Sequence, residues 1–158
     1  MRWALLGAVV LFVIFLAVKS RLARDPATKE ARQKLARAKQ AVREATTSAA
    51  RAQAWREAAQ IALDELERPG LAAAFARRAE REDPSNEEGL SLLARTMRSA
   101  NRHQALSKLL WRHLADEPLD SPRAERLMNE LFALYEGPLR RPAQAKVLRA
   151  LWAARKAS

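Results

Sequence analysis

The hydrophobic pattern of the chain changes character after its first eighteen residues. Sixteen residues in a row, from Trp3 through Val18, carry no charge and are almost entirely apolar. On a membrane-insertion scale, such a run favours the bilayer by roughly 3–6 kcal/mol in total. As a helix it extends about 24 Å, and flanking side chains can reach across the remaining distance. The pattern therefore predicts a transmembrane helix within residues 1–24, including a basic flank.

This segment could be an uncleaved anchor or a secretory signal peptide. A signal peptide requires small neutral residues at its cleavage site, whereas Lys19, Arg21 and Arg24 follow the run. We therefore predict a retained single-span anchor, and we expect these three side chains to contact lipid head groups. Basic residues are concentrated after the span, so the positive-inside rule places the rest of the chain in the cytoplasm, with the periplasm as the alternative. Because the excess of Arg over Lys is typical of GC-rich bacterial genomes, we expect a bacterial inner membrane.

Beyond the span, apolar positions follow helical periodicity. From Ala31 to Ala52 they recur alternately four and three residues apart, and the stripe continues from Trp55 to Leu66. This spacing predicts an Ala-rich juxtamembrane helix in residues 25–52, either continuous to Leu66 or broken near Thr46 to Ser48. An Ala seam buries little area, so it either packs on the chain's own next helices or pairs with a second copy.

Helix-breaking residues divide the remainder of the chain. They lie at residues 68–70, 83–86, 100–102, 117–122 and 136–142. The short breaks separate predicted helices of about 12 to 16 residues, and such neighbours are expected to pack antiparallel. In the last helix, four large apolar residues fall on one side: Val147, Leu148, Leu151 and Trp152. The predicted fold class is therefore all-α.

The interval between these breaks has the length of a known helical repeat. Pro84 and Pro118 lie 34 residues apart. The first pair of helices carries Ala54-Trp55, Ala58-Ala59, Ala62, Ala72, Phe75, Ala79 and a closing Asp83-Pro84-Ser85-Asn86. The second pair carries Leu90, Leu93-Ala94, Met97, Ala105 and Leu109. In this spacing and residue choice, the chain resembles the tetratricopeptide (TPR) family, although Ala59, Ala94 and Asn101 replace family glycines.

The resemblance covers roughly Gln53 to Trp152, within a predicted repeat domain of residues 53–158. It implies antiparallel helix-turn-helix repeats stacked in a short α-solenoid. The third unit, Ala124 to Trp152, keeps only the outline and would serve as a terminal cap. The first helices of successive pairs would line a concave surface for a peptide. Six residues are expected on that surface: Arg56, Gln60, Asp64, Ser91, Arg95 and Arg98. Because the set is net positive, it predicts an acidic or carboxylate-bearing protein segment as ligand.

Composition narrows the remaining chemistry. Net charge is +11, 49% of the residues are hydrophobic, and there is no cysteine, which removes disulfides, thiol chemistry and the commonest zinc frameworks. The two histidines, His103 and His113, have no acidic residues at ligand spacing, and phosphate-loop and nucleophile motifs are absent from the sequence. We therefore expect no catalytic residue, metal or cofactor. Few aromatics and interspersed acidic residues argue against nucleic-acid binding.

These patterns together predict a non-enzymatic, membrane-anchored scaffold or adaptor that binds another protein through a small helical-repeat domain. Two alternatives stay open. The Ala-rich helix could drive homo-oligomerisation of a structural spacer, or the chain could be an accessory subunit of a larger membrane complex.

Overall fold

A computed structural model describes residues 26–156, and these residues are helical without any strand. Seven α-helices and one π-helical turn follow one another along this part of the chain. They are α1 (Pro26–Glu44), α2 (Ser48–Gln60), the π-helical turn (Ile61–Glu65), α3 (Pro69–Glu82), α4 (Glu87–Ser99), α5 (His103–Ala115), α6 (Pro122–Glu136) and α7 (Pro142–Lys156). The predicted all-α fold class is confirmed.

The predicted transmembrane helix and its basic flank, Lys19, Arg21 and Arg24, lie outside the described residues. Within residues 26–156, no helix combines the length and the apolar character that crossing a membrane requires. The prediction of an N-terminal anchor therefore stays a prediction from the sequence.

The long Ala-rich segment consists of two helices rather than one. Helix α1 ends at Glu44, and α2 begins at Ser48. Thr47 has extended backbone angles, φ −116° and ψ 154°, and its hydroxyl oxygen accepts a hydrogen bond from the Ala50 amide at 3.2 Å. Thr47 is therefore the N-cap of α2, and the segment is the broken helix rather than the continuous one. The predicted domain boundary between residues 52 and 53 falls inside α2.

The described chain forms two compact units, and the division between Thr96 and Met97 falls within α4. The core of the first unit is made of unusually small side chains. Helices α2 and α3 bury five alanines almost completely: Ala58, Ala59, Ala72, Ala73 and Ala76. The start of α2 meets the end of α3, where Arg51 Nε lies 3.1 Å from Glu82 Oε2. The two helices are therefore antiparallel.

Helix α1 packs on α2 and on the π-helical turn. Its seam residues Ala31, Leu35 and Ala38 are buried. At its edge, Lys34 Nζ donates a hydrogen bond to Glu65 Oε2 at 3.0 Å, and this bond raises the pKa of Lys34 above its ordinary value. The Ala seam was expected to pack either on the chain's own next helices or on a second copy. In this structure it packs on the chain's own next helices.

Three of the turns between helices each contain a residue with a positive φ angle. Glu67, Asn101 and Arg140 have positive φ angles of 51°, 55° and 52°. Each follows the first helix of a predicted pair, and the next residue returns a backbone hydrogen bond to that helix, from Arg68 to Ala62 and from Arg102 to Met97 at 2.8 Å, and from Arg141 to Tyr135 at 2.7 Å. No glycine in the described residues has a positive φ. The left-handed position is thus filled by residues with side chains, at some cost in strain.

The second unit, the described residues from Met97 onward, has larger core side chains. Leu106, Leu110 and Leu131 are fully buried. Ser121 caps α6 by accepting a hydrogen bond from the Ala124 amide at 3.0 Å. Helix α7 is attached to α6 by Arg149, whose guanidinium group lies 4.9 Å from the centre of the Phe132 ring. These contacts order α5, α6 and α7 around one core.

The apolar residues of α7 do not share one environment. Leu148 and Trp152 are half-buried, as a packed helix face requires. Val147 and Leu151 are instead 59% and 62% exposed. The sequence places all four on one side of the helix, but the structure leaves two half-buried and two exposed. Successive positions on a helix lie about 100° apart, so these four residues cover too wide an arc to pack on α6 alone.

Candidate functional site

The predicted peptide-binding surface, here called the cationic surface, lies mostly in the first unit. Its arginines already pair with carboxylates of the chain. Arg56 is largely enclosed, with 13% of its side chain exposed. Its Nε and Nη2 donate to Gln53 Oε1 at 3.2 and 2.8 Å, and its Nη1 lies 3.5 Å from Asp83 Oδ2. Arg56 also lies against α4, since a Cβ added to Gly89 would come within 3.6 Å of its Cδ. It therefore packs and neutralises Asp83 inside the first unit.

The other two arginines of the predicted surface are also paired. Arg95 Nη2 lies 2.6 Å from Asp64 Oδ1, which is itself a member of the predicted set. Arg98, in the second unit, pairs through Nη1 with Glu130 Oε1. Gln60 and Ser91 are exposed. The structure thus brings Asp64 and Arg95 together, and an acidic ligand here would have to compete with carboxylates of the chain itself.

A second candidate surface was not singled out from the sequence. Helices α5, α6 and α7 and the α5–α6 turn enclose an open groove of about 1060 Å³, here called the C-terminal groove. Its lining is mostly apolar and includes Trp111, Leu114, Met128, Leu148, Leu151 and Trp152. The indole nitrogen of Trp111 donates to the Tyr135 hydroxyl at 3.3 Å, so its polar atom is satisfied within the unit. The groove can therefore accept an apolar segment.

Charged side chains lie at the rim of the C-terminal groove. Glu117 and Asp120 stand on the α5–α6 turn, and Arg155 stands on α7. Glu117 is held in place, because its Oε1 accepts from Ser121 Oγ at 3.0 Å and its Oε2 lies 3.5 Å from Arg123 Nη1. Arg155 is exposed and forms no ion pair within residues 26–156. The groove therefore carries acidic side chains on the α5–α6 turn and a basic side chain on α7.

The sequence contained a partial signal for this groove. Val147 and Leu151 are four residues apart, and between Gly137 and Ser158 there are six Lys or Arg residues and no Asp or Glu. A basic amphipathic helix is typical of a segment that lies on a membrane surface or binds a protein partner. The pattern places Val147 and Leu151 on the same side of the helix as Leu148 and Trp152, so it does not distinguish exposed positions from packed ones.

Residues 26–156 contain no group of three His, Cys, Asp or Glu side chains placed to hold a metal ion. His103 begins α5, and its Nδ1 is buried without a hydrogen-bond partner.

Comparisons with known proteins give no family assignment. No protein-family model matches the chain, and neither a curated protein nor a solved structure matches it with significance.

Proposed function

We propose that this chain is a membrane-anchored adaptor that binds a segment of another protein in the C-terminal groove. The observation that carries the proposal is the exposure of two apolar side chains on α7: Leu151, which lines the groove, and Val147, one turn earlier, are both about three-fifths exposed. Burying a Leu or Val side chain fully is worth about 1.5–3 kcal/mol, so covering the exposed parts of both would contribute about 2–3.5 kcal/mol. Such a stripe is the kind of surface that an interaction partner covers.

The membrane part of the proposal depends on the sequence of the first eighteen residues. An apolar run followed by Lys19, Arg21 and Arg24 would hold the described units at a bilayer surface. We place those units in the cytoplasm of a bacterium, with the periplasm as the alternative. Alkaline carbonate washing of native membranes should leave the chain in the pellet. Release of the intact chain, or a mature N-terminus beyond Leu22 by mass spectrometry, would contradict the anchor.

We further propose that the helices form degenerate TPR-like repeats. Two regularities support this. The left-handed turn residues Glu67 and Asn101 are 34 residues apart, the same interval as Pro84 and Pro118. Two ion pairs connect residues at nearly equal spacing, Asp64 with Arg95 across 31 residues and Arg98 with Glu130 across 32. A repeated helix pair places equivalent residues at such intervals.

The C-terminal groove is favoured over the predicted cationic surface because its exposed apolar side chains have no partner within the chain to displace. Arg56, Arg95 and Arg98 already have carboxylate neighbours. Exposed ion pairs are individually weak, so a ligand could still displace them, but it would gain little net energy by doing so. The apolar stripe of α7 has no such internal competitor.

A homo-oligomeric spacer based on the Ala-rich helix is the less favoured alternative. The seam residues that would contact a second copy, including Leu35, are buried against α2 and the π-helical turn. An accessory role in a larger membrane complex is compatible with adaptor function and would use the same groove.

The test compares three variants of the full chain, extracted in mild detergent, for recovery of bound proteins. Val147→Asp with Leu151→Asp should abolish recovery. Ala153→Asp adds a carboxylate at another exposed position of α7 and should leave recovery unchanged. Arg95→Glu with Arg98→Glu challenges the cationic surface and should also have little effect. Loss of partners from the arginine variant alone would place the binding site on the cationic surface instead.

A further inference from the structure

The exposed stripe on α7 sets the shape of what binds there. Val147 and Leu151 are one helical turn apart, so they point to the same side of α7 and are separated by about 6 Å along its axis. A partner that covers both must run along the helix for at least that distance. The lining side chains Leu148 and Trp152 lie deeper, since they are half-buried. The occupant must therefore be elongated and must project apolar side chains into a concave surface.

The charges around the groove set its polarity. From Gly137 onward the chain has six basic residues and no acidic residue. Of these, Arg149 is paired with Glu136 at 3.0 Å, while Arg155 lines the groove without an ion pair in the described residues. On the α5–α6 turn, Glu117 is satisfied by Ser121 and Arg123, and Asp120 is exposed. Arg155 on α7 therefore attracts carboxylates, and Asp120 on the turn repels them.

Two other occupants fit these features less well. A second copy of this chain would bring the same acid-free α7 against itself, and like charges placed together oppose association. An anionic bilayer would attract the basic residues, but a flat surface cannot reach the deeper Leu148 and Trp152. An amphipathic helix satisfies both requirements, because its apolar side chains recur at one face and its polar edges can differ in charge.

We propose that the C-terminal groove binds an amphipathic helix of a protein partner, with apolar side chains one turn apart in the groove and carboxylates along the edge that faces α7. This inference rests on the proposed adaptor function and specifies its ligand. The pairing of Arg155 with a partner carboxylate fixes which edge of the bound helix faces α7.

The experiment uses the full chain in phosphatidylcholine nanodiscs as bait. The probe is a displayed library of helices about 16 residues long, with Leu on one face and Glu, Lys or Gln randomised on both edges. We expect the selected helices to carry Glu along one edge. Their affinity should fall about fivefold for Arg155→Glu, because a repulsion replaces an exposed ion pair. Lys108→Glu makes the same change of charge on α5 outside the groove and should leave the affinity unchanged.

The outcomes separate the ligand from the site. Selected helices without a charge preference, or equal effects of Arg155→Glu and Lys108→Glu, would overturn the acidic edge while leaving the groove in use. Selection of no helix at all, or of helices that bind Leu151→Asp and Leu151→Ala as well as the parent, would overturn the proposed function itself. Hydrogen exchange in α6 verifies that each variant is folded.

The competing occupants have their own readouts. Because the chain lacks cysteine, Leu151→Cys can carry a single environment-sensitive label. A blue shift of that label without peptide, on adding phosphatidylglycerol to the nanodiscs, would identify lipid as the occupant and overturn the helix. A doubling of the chain's mass by light scattering that is abolished by Leu151→Asp would identify a second copy and overturn it equally.

Discussion

The alanine contacts between α2 and α3 make the sharpest prediction about stability. Ala59 is completely buried, and its neighbours across the interface, Ala72, Ala73 and Ala76, are buried as well. Replacing Ala59 by Leu adds three carbon atoms where no side chain has room. Overpacking of this kind costs about 1–3 kcal/mol. Leu and Ala have similar helix propensities, so the change in α2 itself is small by comparison.

The prediction is best measured by native-state hydrogen exchange of the full chain in detergent micelles, read separately for peptides of α2 and α3. The free energy of opening should fall by about 1–3 kcal/mol in Ala59→Leu. For a unit of this size, each kcal/mol corresponds to a shift of about 4–8 °C in Tm. Glu57→Leu provides the matched control, since it puts the same side chain at an exposed position of the same helix.

The result also bears on the role of the Ala-rich stripe. Exchange in Glu57→Leu should change by no more than about 0.5 kcal/mol. If Ala59→Leu behaved like this control, the close approach of α2 and α3 would be refuted. If Ala59→Leu changed the oligomeric mass of the chain without changing its stability, the alanines would instead face a second copy.

Two further substitutions test local features of the fold. Thr47→Ala removes the hydroxyl that caps α2 and should lower the stability of α2, measured by hydrogen exchange, by about 0.5–2 kcal/mol. The control Thr46→Ala, one residue earlier and outside the cap, should be nearly neutral. Equal effects of the two substitutions would contradict the break between α1 and α2. Leu131→Ala leaves a cavity at a fully buried site in α6 and should lower the free energy of unfolding, measured by thermal unfolding, by about 2–5 kcal/mol. The control Asn129→Ala, at an exposed position of the same helix, should lower it by less than about 0.5 kcal/mol. An equally small effect of Leu131→Ala would contradict the packing of the second unit's core.

Many of the helix boundaries were predictable because proline and turn-forming residues mark where the helices begin and end. Pro122 and Pro142 mark helix starts, and Asn101 marks a turn, at the positions where the sequence placed them. The position of the break before α2 stayed open, because Thr47 caps a helix only if its backbone is extended there. Periodicity alone allows both the continuous and the broken helix.

The binding surface was harder to predict, because it depends on which side chains are left over after packing. Arg95 and Arg98 looked available as ligands for acidic groups, but their carboxylate partners, Asp64 and Glu130, lie more than thirty residues away in the sequence. The exposure of Leu151 was not predictable, because a helical pattern does not state how much of a face the neighbouring helix covers. Both questions concern contacts between distant segments, which the local sequence does not encode.

The most direct test of the adaptor function is photo-crosslinking in living cells from Leu151. The full chain carrying a photoreactive amino acid at this position should give a discrete adduct with one protein, and Val147→Asp should remove it. The same group at Lys108, outside the groove, should give no such adduct. Adducts with lipid or with a second copy alone, or a protein adduct unaffected by Val147→Asp, would contradict the account.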